Sequence, residues 1–399
     1  MTDITPWIWT APTWPTLTYD LEILSGRLSH ARSEAGRLFG KAEAIGAHEL
    51  TLVQRDVWSG EAVATAAIEG EALDLASVRS SIARRLGIAP TSPSAVPRNV
   101  EGLLDVMENA TAGWDSELTE ERLCRWQAAL FPDGSALRSV ETGRYRSHAD
   151  PMQIVSGPIG REVVHYEAPP STAVRAEMRN FLDWFNRTRG GSLDGILRAA
   201  LAHIWFESIH PFEDGNGRVG RAIVDMALAQ DARLPTRLHG VSSELRRRQE
   251  DYYDALNQAQ RGRGDVTAWL GWFTSAFADS CQASAKLIDE ALVRGRFWGE
   301  HKHIALNERQ RKVLNRMLEA GPGQFAGGLT QRKYVAMTGA STATASRDLA
   351  DLVTNSMLVP GEAAGRSTYY NLAIPGWGWT RSSSPASGSL SRLGGRGLG

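Results

Sequence analysis

The 399-residue sequence predicts a mainly α protein: a helical N-terminal region, a helical core carrying one β-hairpin, and a C-terminal winged helix-turn-helix. Three observations predict it. Apolar residues recur at three- and four-residue spacing from Leu21 to about Arg85, and again from Arg98 to about Lys286. One stretch, PMQIVSGPIGREVVHYEAPP (151–170), breaks that period with short β-branched runs flanking glycines. After Leu306, three short helical patterns end in a second hairpin.

Taken in order, WIWTAPTWPTLTYD reads as an extended arm whose tryptophans pack on a neighbouring domain. The region 1–97 closes at IAPTSPSAVP (88–97), where three prolines exclude a helix. The core is assigned to 98–286. Within it, STAVRAEMRNFLDWFN places Val174, Met178, Phe181, Leu182 and Phe185 on one face, with Ser171 or Thr172 as cap. In ILRAALAHIWFESI, Ile196, Ala200, Leu201, Ile204 and Ile209 fall on one side. The third unit, 300–373, has LNERQRKVLNRMLEAG capped by Asn307 and LTQRKYVAMTG capped by Thr330. STATASRDLADLVTNSMLV follows, capped by Ser341, and PGEAAGRSTYYNL forms the wing. Arg347 in the would-be recognition helix is answered by Asp348 and Asp351, so DNA binding and protein contact both stay open for this unit. The Gly/Ser/Arg-rich segment 374–399 reads as a disordered tail.

A net charge of -1 gives no global pull toward nucleic acid or membrane. Two cysteines are too few for a disulfide framework or a thiolate zinc site. With no signal-peptide pattern and no long apolar run, the expectation is a cytoplasmic protein without a membrane partner.

The chemistry concentrates in HPFEDGNGRVGR, residues 210–221. GNGRVG formally satisfies the dinucleotide fingerprint, but it lies between two helices, without the βαβ unit that gives the fingerprint meaning. Its anion logic survives. Gly215 and Gly217 let backbone N–H groups converge on a phosphate, and a helix starting near Asn216 or Arg218 adds its positive end. Arg218 and Arg221 share a face and can both reach a polyphosphate. Asp214 beside the loop is a natural Mg2+ ligand. His210, just before, is placed to accept a proton. Together they describe the activation of a hydroxyl beside a metal-bound nucleotide.

HPFEDGNGRVGR resembles the Fic motif, H-P-F-x-[DE]-G-N-G-R-x-x-R, at every fixed position. The resemblance implies a helical Fic core from about Gly102 to Ala278 that transfers AMP from ATP to a Ser, Thr or Tyr hydroxyl of a target protein. It implies His210 as general base, Phe212 as anchor of the loop in the core, and Asp214 as the Mg2+ holder. Gly215, Asn216, Gly217 and Arg218 would bind the α- and β-phosphates, with Val219 and Gly220 carrying the loop into Arg221 on the γ-phosphate. Met152, Gln153, Ile154, Val155, Ser156 and Gly157 fall where the family's flap aligns the target by strand addition. Tyr252, Tyr253 and Gln260 fall where it contacts adenine and ribose, although asparagine is usual at the last position. TAAIEG, beginning at Thr65, resembles the family's inhibitory motif [ST]-x-x-x-E-[GN], which implies that Glu69 pairs with Arg221 and denies it to the γ-phosphate. A homodimer is the expected assembly. Two other readings keep the same residues: a de-AMPylase in which Glu69 orients a water, and a DNA-binding regulator in which the core is only a sensor.

Overall fold

The computed structural model describes residues 7–88, 96–132, 141–156, 161, 163–234, 238–361 and 368–379. It resolves into two compact units, Met1–Ile288 and Asp289–Gly399. Among the described residues there are fourteen α-helices and two separate two-stranded antiparallel sheets.

In the first unit a 3-10 turn, Ile8–Thr10, precedes α1 (Leu21–Ala44), α2 (Ala47–Ile68) and α3 (Leu75–Arg85). Then come α4 (Arg98–Ala112), α5 (Glu120–Ala129), β1 (Gln153–Ser156), β2 (Val163–Glu167) and α6 (Ser171–Arg187). They are followed by α7 (Gly195–Ile209), α8 (Asn216–Ala232), α9 (Val241–Arg247), α10 (Gln249–Gln260) and α11 (Thr267–Glu300), whose last residues, from Asp289, belong to the second unit. Aspartates start several helices by accepting their free N–H groups: Asp20 on α1, Asp74 on α3, Asp194 on α7. The expected cap of α6 is a different case. Pro170 occupies the cap position, no side chain caps the helix, and Ser171 is already its first residue. Val174, Met178, Phe181 and Phe185 form its buried face, with Leu182 half-buried at the edge.

Helix α7 corrects the one-sided pattern expected for it. All fifteen of its residues are buried, because α6, α8 and α10 cover it on several sides. Its polar members His203 and Glu207 therefore lie inside the unit and face α8 across Gly220, where any β-carbon would overlap the Glu207 carboxylate. A similar close approach joins α4 to α5 at Gly102, where a β-carbon would overlap the carbonyl of Ala129. Because a backbone group cannot swing aside, Gly102→Ala is expected to cost about 1–3 kcal/mol, read as a lowered midpoint in thermal denaturation.

The N-terminal arm packs as expected. Trp7 meets Tyr166 edge-on at 5.4 Å, Trp9 Nε1 donates to the Glu167 carbonyl (2.7 Å), and Trp14 Nε1 donates to Glu177 (2.8 Å). Its first two tryptophans thus brace the hairpin. In that hairpin Gln153 pairs with Glu167 and Ser156 with Val163, with an irregularity between Ile154 and Val155.

The second unit contains α12 (Glu308–Ala320), α13 (Gln331–Thr338), α14 (Thr342–Thr354), β3 (Leu358–Pro360) and β4 (Tyr370–Leu372). Asn307, Thr330 and Ser341 cap the three helices, Asn307 through a full capping box. Val313, Leu314, Tyr334, Leu349, Leu352 and Leu372 share one core. The expected pairing of Arg347 with two acids is corrected here. Asp348 turns inward, where it takes hydrogen bonds from the Tyr334 hydroxyl (2.8 Å) and Asn307 (3.0 Å) and pairs with Arg309. Asp351 accepts from Gln310 (2.7 Å), and Arg347 is exposed. Trp377 joins the core, and Trp379 meets Tyr369 edge-on, so the chain is packed through residue 379. The rest of the expected tail, with the wing tip at 362–367, lies outside the described residues.

Candidate active site

The site is built where α7 ends and α8 begins. His210 caps α7 in the left-handed region (φ 49°, ψ 61°), which turns the chain sharply. Three acceptors hold that turn to one residue: Arg146 donates to the carbonyls of His210 (2.8 Å), Pro169 (2.5 Å) and Ile209 (3.3 Å). The return path is fixed by Asn216, whose side chain accepts from Phe212 N (2.9 Å) and donates to Phe212 O (2.7 Å). Phe212 is fully buried between Tyr145 and Phe206. Gly215 is left-handed (φ 86°) and lies against Phe131 and Leu130. A loop so tied down presents the start of α8 without needing a ligand to order it.

Arg218 and Arg221 project from the first turns of α8, both nearly buried. Arg221 donates to the Thr65 hydroxyl (2.6 Å), the Thr65 carbonyl (3.1 Å) and Glu69 Oε1 (2.6 Å). Burial alone would raise the Glu69 carboxyl, but the Arg221 guanidinium, with Arg218 and His210 behind it, holds it below the usual range. Gly217 leaves the space Glu69 needs, since a β-carbon there would overlap its carboxylate. Arg218 donates to Glu71 (3.1 Å) and lies over the Phe131 ring.

His210 is mostly buried, with 13% of its side chain exposed, and burial, reinforced by the Arg146 charge, pushes its imidazole down to about 4. Glu207 is 3.8 Å from His210 Nδ1, and burial pushes its carboxyl up to about 8. At neutral pH both groups are uncharged, so their approach is a contact and not an ion pair. The raised carboxyl has a consequence for stability. The folded state holds the Glu207 proton more tightly than the unfolded chain, so stability is lost as pH rises from the ordinary carboxylate range toward 8. Glu207→Gln is expected to raise the melting temperature at pH 8, by more than about 1 kcal/mol of stability, and to change little at pH 5.

Asp214 is half-exposed beside the loop, with Oδ1 accepting from Gly215 N (2.5 Å). Among the described residues no group of three or more His, Cys, Asp or Glu could hold a metal by itself. One accessible carboxylate beside two arginines fits an Mg2+ held mostly through substrate phosphates.

The remaining expected residues sit as follows. Tyr252 is buried with its hydroxyl 2.9 Å from His203 Nε2, and Tyr253 donates to the Ile68 carbonyl at the end of α2 (3.3 Å). Gln260 is fully buried at the end of α10, its amide nitrogen and oxygen both without a hydrogen-bond partner among the described residues. Val219 is buried behind the loop. Met152 O accepts from Ala168 N (2.9 Å), Gln153 bonds Glu167 (2.7 Å), and Val155 is exposed, while Gly157 lies outside the described residues. Arg261 donates to the carbonyls of Val164 and His165 in β2. Sequence reasoning missed Glu71, Arg146, His203 and Glu207. Glu71 and Glu207 carried a readable signal, two residues past Glu69 and three before His210; the pairing of Arg146 with distant carbonyls carried none.

Two family models match: a domain of unknown function, DUF4172, over residues 7–88, and the Fic/DOC family over residues 117–228. A probable protein adenylyltransferase of Aquifex aeolicus is 31% identical over 97 residues, 24% of this chain and 27% of the relative. The protein adenylyltransferase Fic of Nematostella vectensis is 28% identical over 199 residues, 49% of this chain and 42% of the relative. The chain thus spans less than half the length of these curated relatives. A crystal structure of a Fic family protein from Desulfovibrio desulfuricans superposes with TM-score 0.50 at 22% identity, covering 87% of this chain and 95% of that one. No helix among the described residues is long and apolar enough to cross a membrane. With a matching sequence family, a shared helical fold and the loop geometry above, this chain carries a Fic/DOC family domain, preceded by a DUF4172 region.

Proposed function

We propose that the protein is an adenylyltransferase that moves AMP from ATP to a Ser, Thr or Tyr hydroxyl of a target protein and is held off by Glu69. The observation that carries the reading is the Thr65–Arg221–Glu69 cluster, set beside His210 and Arg218 on one loop. His210 takes the proton of the attacking hydroxyl, whose oxygen bonds to the α-phosphorus. The bond from that phosphorus to the bridging oxygen breaks, and pyrophosphate leaves with the electron pair. An imidazole kept neutral by burial is ready to accept that proton. The N–H groups at the start of α8, with Arg218 and Arg221, take the phosphate charge. Mg2+ held at Asp214 supplies neutralising charge to those phosphates when bound. The loop is tied by Asn216 and Arg146, so little reorganisation is needed when substrate arrives. The flap receives the target segment on β1, while Arg261 occupies the carbonyls of Val164 and His165 in β2.

The names of curated relatives, protein adenylyltransferases, support the chemistry. Labelled ATP offered to wild type, Glu69→Gly and the Glu69→Gly, His210→Ala double variant tests it. Incorporation of AMP that appears with the first change and vanishes with the second is the expected result. Folded Glu69→Gly that labels nothing, itself included, overturns it.

A further inference from the structure

The turn that carries Glu69 carries a second carboxylate. Glu69 caps α2, Gly70 follows in the left-handed region (φ 79°), and Glu71 N–H returns to the Ala66 carbonyl (2.9 Å) while Gly70 N–H returns to Ala67 (3.1 Å). These two bonds are a Schellman ending, which glycine at that position permits. Residues two apart on a straight helix do not face the same way. Here the left-handed glycine folds the chain back, and both acids meet α8: Glu69 on Arg221 (2.6 Å), Glu71 on Arg218 (3.1 Å). The two guanidinium groups are nearly buried, at 4% and 5% side-chain exposure, so each presents few directions from which an anion can approach. Helix α2 is itself fastened, because the buried Glu61 carboxylate accepts from Ser242 N and Ser243 N (both 2.7 Å) at the start of α9.

We propose that Glu71 is a second, separate inhibitory residue: the Glu69-Gly70-Glu71 turn fills both anion positions of α8 as an internal stand-in for two phosphates, and a nucleoside diphosphate must displace Glu71 from Arg218 to bind. This rests on the nucleotide reading above. It adds a consequence that Glu69 alone does not have. Glu69 opposes the placement of a γ-phosphate on Arg221, whereas Glu71 opposes binding of any nucleotide that uses Arg218, including one with no γ-phosphate. Since α2 stays fastened through Glu61, release needs movement of the turn only.

The test is titration calorimetry of ADP with Mg2+ into full-length wild type, Glu71→Gln, Glu71→Asp and Glu69→Gly, with thermal melting to confirm folding. Glu71→Gln is expected to tighten ADP about tenfold with Glu69 in place, the scale of one competing charge-assisted pair. Glu71→Asp keeps the charge but withdraws the carboxylate by one methylene, and is expected to tighten ADP as well. An ADP affinity within twofold of wild type in Glu71→Gln overturns the proposal. So does tightening in Glu71→Gln with none in Glu71→Asp, which would make the effect one of general charge. AMP labelling by Glu69→Gly reports separately on the transferase reading: its failure alongside tighter ADP sinks the transferase and leaves the Glu71 contact standing. If no variant binds ADP, the nucleotide reading falls and this proposal with it.

Discussion

Replacing His210 with alanine in the Glu69→Gly background is expected to lower AMP transfer by at least the roughly 10²–10⁴-fold that a positioned base contributes. The residue has no substitute nearby. Glu207, 3.8 Å away, has a carboxyl pushed up to about 8 by burial, so at neutral pH it holds a proton and cannot accept another. The imidazole, pushed down to about 4, is in its accepting form across the neutral range. The His210-dependent part of the rate is therefore expected to be flat from about pH 6 to 8 and to fall only as pH drops through about 4. Initial rates of labelling against pH, with circular dichroism to separate loss of fold from loss of base, check both statements. A folded His210→Ala variant retaining a tenth of the activity would remove the base assignment.

Glu69→Gly is expected to act in two opposite directions. Labelling should rise at least tenfold, the factor of one charge-assisted contact returned to the nucleotide. Stability without nucleotide should fall, because Arg221 is nearly buried and, among the described residues, keeps its two hydrogen bonds to Thr65 but loses the one to a carboxylate. A lost hydrogen bond to a charged group costs about 1.5–3 kcal/mol. ATP with Mg2+ should restore more of that in the variant than it adds to wild type, since its phosphates supply the missing anion. Thermal melts of both proteins with and without nucleotide read this directly. Equal ATP-induced shifts would mean that Glu69 and the nucleotide do not compete for Arg221.

Much of this site was legible beforehand. The twelve-residue loop was readable because its functions are local: a left-handed glycine, a helix start and two arginines three apart need only near neighbours in sequence. Helix caps at Asn307, Thr330 and Ser341 were legible for the same reason. The α7 pattern misled because a helix covered on all sides has no polar face to break its period. Asp348 misled because adjacent charges suggest pairing, while burial in fact directs it to Tyr334 and Arg309.

By itself the sequence determined the helical class, the hairpin within it, the motif and the presence of a carboxylate able to oppose Arg221. Those follow from periodicity and short-range spacing, which chain connectivity enforces. Only the tertiary structure decided that Glu71 reaches Arg218 and that burial separates the protonation of His210 from that of Glu207. It alone set Arg146 across three carbonyls from distant parts of the chain. Contacts between residues far apart in sequence, and the loss of water around buried charges, depend on how helices pack, and no local pattern encodes them.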